Sequence, residues 1–191
     1  WRGTLSAPDH VSEEDLDVLP RVRLANLAQQ HPELFDVAIT EVDEELERAI
    51  GKKAVKSLKR RLPLGTHEDV HSRSPLYRYV INVSAVLSAW RLAQLLTSGS
   101  LLLLQEDASS ELIYEWLRPW EHFVPISNNL SDLVDKLRWL EAHPAEAAAI
   151  AARGFQQFQR RVRRQDTYCY VAQALATVVR FAEPTTLTAR K

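Results

Sequence analysis

Cysteine, methionine and glycine are scarce in this chain. Its 191 residues include one cysteine, Cys169, no methionine and five glycines. A single cysteine cannot form a disulfide within the chain, which excludes a small disulfide-stapled scaffold. Because the chain lacks methionine and starts at Trp1, we expect it to be a piece of a longer polypeptide.

Net charge and long apolar stretches are lacking as well. The 24 basic and 25 acidic residues nearly cancel, so no overall field favours nucleic acid or an anionic membrane as a partner. Uninterrupted aliphatic runs such as LLLL at 101–104 fall far short of the roughly 20 residues that cross a bilayer. We therefore expect no nucleic-acid partner and no membrane span in this chain.

Strand-like and helix-like patterns alternate along the sequence. Short runs rich in β-branched, aromatic or leucine residues predict strands at 34–40, 77–83, 100–104 and 122–126. Helical spacing predicts helices at 20–30, 42–62 with a break near Gly51, 86–96, 111–117, 131–142 with Ser131 as cap, one that starts at 144 and is interrupted or ends near Gly154, and 167–181. This order predicts an α/β fold, with one domain at 1–183 in which helices cover both faces of a Rossmann-like parallel sheet, and a flexible tail at 184–191.

One motif suggests zinc chemistry. The letters HEDVH at 67–71 match H-E-x-x-H, in which two histidines one helical turn apart bind zinc and the glutamate acts as a base. However, Pro63, Gly65 and Pro75 flank the motif, so the sequence does not predict the long helix that such a site needs, and no convincing third ligand follows. We predict no metal site, and a zinc hydrolase that uses His67 and His71 remains a minor alternative.

Other familiar signatures are weak or missing. The basic segments KKAVKSLKRR at 52–61 and RRVRR at 160–164 are interpreted as solvated helix faces rather than phosphate-contacting patches. The chain contains no G-x-S-x-G, no G-x-G-x-x-G and no P-loop pattern. These absences disfavour a serine hydrolase and the ordinary dinucleotide and nucleoside triphosphate sites.

The junction that follows the second predicted strand is the remaining candidate site. Its letters are NVSAVLSAWR at 82–91. In open α/β sheets, ligands lie at the carboxyl ends of strands, where the amides at a helix start attract anions. Small residues there would let a diphosphate approach the backbone, and Arg91 would add a charged fork. On the pattern alone, small residues at a helix start more often reflect simple packing.

Several segments together resemble glycosyltransferase family 90, the family of capsule-associated proteins and protein O-glucosyltransferases. They occur in the family's order and cover nearly the whole chain. The matching segments are WRGT at 1–4, HPELFD at 31–36, YRYVINV at 77–83, WR at 90–91, GSLL at 99–102, LRPWEHFVP at 117–125, NLSDL at 129–133 and DTYCY at 166–170.

The resemblance implies a fold and a function. The chain is similar to the C-terminal half of a two-domain GT-B glycosyltransferase, which binds the nucleotide-sugar donor, UDP-glucose or UDP-xylose, and transfers the sugar to a hydroxyl of a protein or glycan acceptor. It implies no metal or other cofactor. The donor contacts that it carries over are Arg2, Val86, Leu87, Ser88, Ala89, Trp90 and Arg91.

Two departures from the family qualify this assignment. The family commonly has glycine where Ala85 stands, and a Cβ there would hold the backbone away from the phosphates. The family's catalytic aspartate belongs to the N-terminal half and has no counterpart here, so we expect the chain alone to be inactive or nearly so. A non-catalytic nucleotide-sugar-binding or interaction module is therefore the alternative function.

The resemblance also implies lesser features. Glu111 would accept hydrogen bonds from the ribose hydroxyls, although a solvent-facing carboxylate at a helix start is an equal alternative. Cys169 stands where the family tends to carry cysteine, and its disulfide partner would belong to a segment that precedes this chain. Both the family and that cysteine imply the endoplasmic reticulum lumen or another compartment of the secretory pathway.

Overall fold

The computed structural model describes residues 1–7, 10–84, 91–106, 113–161 and 164–181. Strands and helices alternate through this part of the chain. The strands are β1 (Arg2–Leu5), β2 (Ala38–Val42), β3 (Tyr79–Asn82), β4 (Leu101–Gln105) and β5 (Val124–Ile126). The helices are α1 (Pro20–Gln30), α2 (Glu44–Arg61), α3 (Val70–Arg73), α4 (Leu92–Leu96), α5 (Leu133–Ala142), α6 (Pro144–Arg161) and α7 (Arg164–Phe181).

The five strands form two parallel sheets. β1 pairs with β2, and β3, β4 and β5 pair in that order. Every residue of β4 is buried, because its alternating side chains point to opposite faces. Leu101 and Leu103 join the larger apolar cluster with α1, α2 and α5, whereas Leu102 and Leu104 join the smaller cluster with α4. Helices therefore cover both faces of the sheet, as the sequence predicts.

Most strand predictions are close to the observed bounds, but two need correction. The strand predicted at 34–40 starts only at Ala38, because the amides of Leu34 and Phe35 both donate to the carbonyl of His31 and form a turn. The strand β1 was not predicted at all. Its four residues carry no period-2 apolar signal, and they are extended because they pair with β2, which lies more than 30 residues away.

The helices show similar agreement, with three corrections. The predicted break at Gly51 is confirmed, since its φ is 82° within α2. Helix α6 does not end near Gly154 but continues to Arg161. Glycine is needed at this position because the backbone of His122 packs closely against it: a Cβ at Gly154 would lie 2.3 Å from the carbonyl oxygen of His122. Glycine therefore serves there as a contact surface rather than as a helix stop.

The other two corrections concern the cap of α5 and the helix predicted at 111–117. Ser131 does not cap α5, which begins at Leu133 without a side-chain cap. The nearby Asp132 carboxylate accepts instead from the amide and hydroxyl of Ser127. In the helix predicted at 111–117, the described part is only a 3-10 turn at Tyr114–Trp116. Among the helices that the structure describes, none is both long and apolar enough to span a bilayer.

Candidate functional site

A buried arginine joins the carboxyl ends of two strands. Arg21 lies in the first turn of α1 and is 6% exposed. Its Nη1 donates to the carbonyl of Thr4, near the end of β1, and to Ser6 Oγ at 3.3 Å. Its Nε donates to the carbonyl of Ser84, which follows β3, at 3.1 Å. Arg21 therefore holds the ends of strands from the two sheets together, at the edge where ligands of open α/β sheets lie.

A buried glutamine extends this connection. Gln105, at the end of β4, is 3% exposed. Its Oε1 accepts from the amide of Ser84 at 2.8 Å, and its Nε2 donates to the carbonyl of Asn128 at 2.6 Å. One side chain thus fixes the residues that follow β3 and β5 relative to each other.

A second arginine lies along β1. Arg91 Nη1 donates to the carbonyl of Arg2 at 2.5 Å. The guanidinium carbon of Arg91 lies 5.3 Å from the centroid of the Trp1 ring, and that of Arg21 lies 5.7 Å from it. We call Trp1, Arg21 and Arg91 the seam cluster, because they lie where segments of the two sheets meet. Gly3 permits this packing, since a Cβ there would lie 2.6 Å from the Trp1 ring.

The two arginines of the seam cluster have no anionic partner among the residues that the structure describes. Within the described ranges, no carboxylate oxygen lies within 4 Å of Arg21 or Arg91. Burial lowers the pKa of Arg21 to about 10, with a further lowering by Arg91 and an opposing effect of Asp43. Burial also lowers the pKa of Arg91. Buried cations without countercharge are costly, so such a cluster favours the binding of an anion.

Arg2, by contrast, is paired. Its Nη2 lies 2.7 Å from Asp36 Oδ1 and its Nε lies 3.7 Å from Glu68 Oε1. Glu68 also binds Arg73 at 2.8 Å, and Asp36 accepts a hydrogen bond from the hydroxyl of Tyr77. Burial alone would raise the pKa of Asp36, but the hydrogen bonds from Tyr77 and Arg2 lower it overall. We call these five residues the amino-edge network, because they surround the amino ends of β1, β2 and β3.

A cavity of about 460 Å³ lies beside the amino-edge network. Both Arg2 and Arg91 line it, so the structure brings these two predicted donor contacts together. Its other walls come mainly from segments 33–37 and 77–81, which precede or begin β2 and β3. The cavity is thus on the amino side of the strands, whereas strand topology directs the ligand to the carboxyl side.

The remaining predicted site residues have different outcomes. Val86, Leu87, Ser88, Ala89 and Trp90, together with Ala85 and Glu111, lie outside the described residues. The donor-binding role of the predicted residues therefore stays a prediction. Cys169 lies exposed on α7 as a free thiol.

The H-E-x-x-H motif does not form a helical pair. His67 precedes α3, which begins at Val70 and contains His71, so one helix does not carry both histidines. Glu68 is engaged by Arg2 and Arg73 instead. In the part of the chain that the structure describes, no three His, Cys, Asp or Glu residues form a group that could hold a metal ion.

Sequence reasoning missed Arg21 and Gln105. A signal for Arg21 was available, because it is in helical register with Leu24, Ala25 and Ala28 on the buried face of α1. A charged residue on an apolar stripe is rarely buried unless it has a specific role. Gln105 had the weaker signal of a polar residue at the end of a leucine strand.

Comparisons with known proteins agree with this architecture. A family model described as glycosyl transferase family 90 matches residues 14–183. Human protein O-glucosyltransferase 3 is 32% identical over 157 residues, which cover 81% of this chain and 28% of that protein. Human protein O-glucosyltransferase 1 is 29% identical over 182 residues, which cover 95% of this chain and 41% of that protein. The chain thus spans less than half the length of the curated relatives it matches.

Two solved structures are similar in fold. HepE of Anabaena in complex with UDP and glucose matches with a TM-score of 0.59 and 14% identity, over 92% of this chain and 48% of that one. The C-terminal domain of LpcC, a glycosyl transferase group 1 family protein of Francisella tularensis, matches with a TM-score of 0.51 and 13% identity, over 85% of this chain and 86% of that one. The predicted fold class, a Rossmann-like layer similar to the C-terminal half of a GT-B glycosyltransferase, is confirmed.

Proposed function

Because this chain belongs to glycosyl transferase family 90, we propose that it forms the donor-binding part of a glycosyltransferase. The reaction would transfer glucose or xylose from a UDP-sugar to a hydroxyl of a protein or glycan acceptor. The names of the curated relatives, protein O-glucosyltransferases, support glucose and a protein acceptor. The complex of HepE with UDP and glucose supports a UDP-linked donor.

One observation carries the proposal: Arg91 lies partly buried against Trp1 and Arg2, without a carboxylate within 4 Å among the described residues. Departure of UDP leaves negative charge on the diphosphate, and a preorganised guanidinium stabilises such charge most effectively in a site shielded from water. We propose that arginine side chains supply this stabilisation without a metal ion. A carboxylate outside this chain would act as the general base for the acceptor hydroxyl.

Calorimetric titration of the 191-residue chain with UDP, UDP-glucose and UDP-xylose tests this function. We expect UDP to bind in the presence of a chelator and Arg91→Ala to weaken that binding about tenfold or more, because a hydrogen-bonded charge pair is lost. Arg78→Ala is the matched control, since Arg78 is exposed and pairs with Glu141 at the surface. Absence of UDP binding, or binding that Arg91→Ala leaves unchanged, would reject the donor-site assignment.

A non-catalytic module remains the second candidate. Ala85 in place of the family's glycine motivates it. Incubating the full-length protein with UDP-glucose and acceptor peptides, and measuring released UDP, separates the two candidates. Release that depends on the peptide supports the enzyme, whereas binding of UDP without release supports the module.

We also propose a compartment. Family membership favours the lumen of the endoplasmic reticulum or another part of the secretory pathway, where disulfides form. The exposed position of Cys169 suits pairing with a cysteine elsewhere in a longer polypeptide. Mass spectrometry of the full-length protein, digested without reduction, tests this. A free Cys169 thiol in secreted material would contradict the pairing.

A further inference from the structure

We infer that the surface around Trp120 and Trp139 is a second binding site, which takes a neutral pyranose ring of a glycan. The two indole rings lie edge to face, with centroids 5.6 Å apart and planes at 85°. The ring of His143 stacks on Trp139 at 4.2 Å. We call these three residues the aromatic patch. The inference goes beyond the proposed function, because it does not depend on a UDP-sugar donor.

The aromatic patch lies at the amino ends of the strands. Trp120 belongs to the turn that leads into β5, and Trp139 lies near the end of α5. Glu141, also on α5, pairs with Arg78, which directly precedes β3. The candidate donor junction starts at Asn82, at the carboxyl end of β3. A sugar bound to the aromatic patch would therefore be separate from the donor.

Trp120 is exposed although its backbone conformation is strained. Its φ is 62°, a value that glycine adopts freely and that bulky residues rarely adopt. Leu130, the other non-glycine residue with a positive φ in the part of the chain that the structure describes, is only 1% exposed, so burial in the core offsets its strain. Trp120 remains 43% exposed. Folding alone does not account for a tryptophan at this position, and strained residues cluster at ligand-binding sites.

The turn that presents Trp120 is held in place by hydrogen bonds. The amide of Trp120 donates to the carbonyl of Phe123 at 2.7 Å, and the amide of Arg118 donates to His122 Nδ1 at 2.9 Å. His122 and Phe123 are themselves buried. Because the backbone beneath the indole ring is anchored, a ligand that stacks on this ring has little to order.

The charges around the aromatic patch favour a neutral ligand. The Nζ of Lys136 lies 5.8 Å from the centroid of the Trp120 ring, so the protein already supplies a cation to this ring and a cationic ligand would be repelled. The C–H groups on one side of a pyranose ring carry partial positive charge without a net charge. They can stack on the negative face of an indole ring.

The ring nitrogens of the aromatic patch suit hydroxyl groups. His143 Nδ1 donates to the carbonyl of Trp139 at 2.7 Å, which leaves Nε2 of the neutral imidazole as an acceptor. This Nε2 and the indole Nε1 atoms of Trp120 and Trp139 have no hydrogen-bond partner among the described residues. A sugar hydroxyl both donates and accepts, so a sugar can bind two indole donors and one imidazole acceptor.

The size of the aromatic patch favours a small ligand over a protein. A fully exposed aromatic side chain offers about 150–250 Å², and Trp120 and Trp139 are only 43% and 37% exposed. A stable protein interface needs about 800 Å² from each partner. The adjacent residues Arg118 and Glu121 are charged and lie 3.6 Å apart, so they add polar groups rather than apolar area.

NMR titration of the 191-residue chain with cellotriose and maltotriose tests the inference. We expect the indole N–H signals of Trp120 and Trp139 to shift, with a Kd of about 1–10 mM because one stacked ring provides few contacts. Trp120→Gly, in which glycine adopts the positive φ without strain, should weaken binding about tenfold or more. If Trp120→Gly does not fold, as judged by circular dichroism, Trp139→Ala decides and should also weaken binding.

Two controls accompany this titration. Tyr168→Ala removes an exposed aromatic ring of α7 and should leave the Kd within about twofold. Sorbitol has hydroxyl groups but no pyranose ring, and it should not shift the indole signals. Equal shifts with sorbitol would overturn the inference, since hydroxyl groups alone would then explain them.

Three further outcomes would overturn the inference. The first is the absence of indole shifts with both trisaccharides. The second is a Kd that Trp120→Gly and Trp139→Ala leave unchanged. The third is displacement of the trisaccharide by UDP, which would place the sugar in the donor site. Sedimentation of a dimer that Trp120→Gly dissociates, without sugar binding, would assign the aromatic patch to a contact between two copies of the chain instead. UDP binding is measured separately, so failure of this inference leaves the proposed function standing.

Discussion

Two groups of arginines contact the same short strand, β1, and they differ in their electrostatic surroundings. In the amino-edge network, Arg2 and Arg73 face the carboxylates of Asp36 and Glu68. In the seam cluster, Arg21 and Arg91 contact only carbonyl groups, a hydroxyl and the ring of Trp1 within the described residues. An arginine's environment, more than its presence in a motif, therefore indicates whether it can serve an external anion.

The physical reason lies in the balance of charge. A paired arginine has already recovered part of its desolvation cost from its carboxylate. Arg21 is buried and bonds only neutral acceptors, so its desolvation is not compensated by a carboxylate. Its pKa is lowered for this reason. An anion that binds between Arg21 and Arg91 would stabilise both charges at once.

Among these predictions, replacing Gln105 should have the largest effect. Gln105→Leu removes the buried side chain that accepts from the amide of Ser84 and donates to the carbonyl of Asn128. We expect the free energy of unfolding to fall by about 2 kcal/mol, since each lost hydrogen bond of these part-buried groups contributes about 0.5–1.5 kcal/mol. We also expect UDP affinity to fall. Urea denaturation and calorimetry measure both quantities. Gln159→Leu, on the exposed face of α6, is the control and should change stability by less than about 0.5 kcal/mol.

Adding a side chain at Gly3 should perturb the seam cluster more selectively. The Cβ of Gly3→Val would lie 2.6 Å from the Trp1 ring and 2.9 Å from Arg91 Nη2, so both side chains must shift. We expect a stability loss of about 2 kcal/mol together with weaker UDP binding.

Gly51→Val provides the contrast for this variant. Gly51 lies in α2, outside the seam cluster. It has a φ of +82° and nothing within 4 Å of its Cβ position, so the substitution introduces backbone strain of about 1–3 kcal/mol. Thermal melting should show that both variants are destabilised. UDP affinity should fall only in Gly3→Val, and an equal fall in both would contradict the placement of the donor at the seam.

A substitution in the amino-edge network should lower stability but leave UDP affinity nearly unchanged. Asp36→Asn removes the carboxylate that faces Arg2 at 2.7 Å. Because this pair is only partly buried, we expect a stability loss of about 1 kcal/mol and a Kd for UDP within about threefold of the wild type. The control is Asp17→Asn, which breaks the exposed pair with Arg61 and should cost less than Asp36→Asn. A large loss of UDP affinity in Asp36→Asn would mean that the network, and with it Arg2, belongs to the donor site.

The fold could be predicted from the sequence where local pattern and tertiary structure agree. The leucines at 101–104 are apolar on both faces, and the structure buries all of them between two helical layers. Gly51 was predicted as a break, and its positive φ confirms it. Pattern failed where a distant partner decides the structure: β1 is extended only because it pairs with β2, and Gly154 remains helical because the His122 backbone packs against it.

The site could be predicted only in part, because distant segments also decide its structure. Motif resemblance named Arg2 and Arg91, and both line one cavity. However, a motif does not state which carboxylates surround an arginine. The segments that hold Asp36 and Glu68 come to Arg2 only in the folded chain. Arg21 stood on the buried stripe of α1, but its three acceptors come from segments up to 63 residues away.

The smallest expected effect is the response of the two groups of arginines to acid pH. The pKa of Asp36 is lower in the folded protein than its usual value, despite burial, because Tyr77 and Arg2 donate to it. Its stabilising contribution is therefore complete above the unfolded pKa of about 3.9 and is lost as pH falls through the folded value. Melting temperatures between pH 5 and pH 3 should fall more steeply in the wild type than in Asp36→Asn, by the equivalent of less than about 1 kcal/mol, since solvent screens this pair. The arginines of the seam cluster keep their protons throughout this range, so parallel curves for the two proteins would show that Asp36 does not stabilise the fold through Arg2.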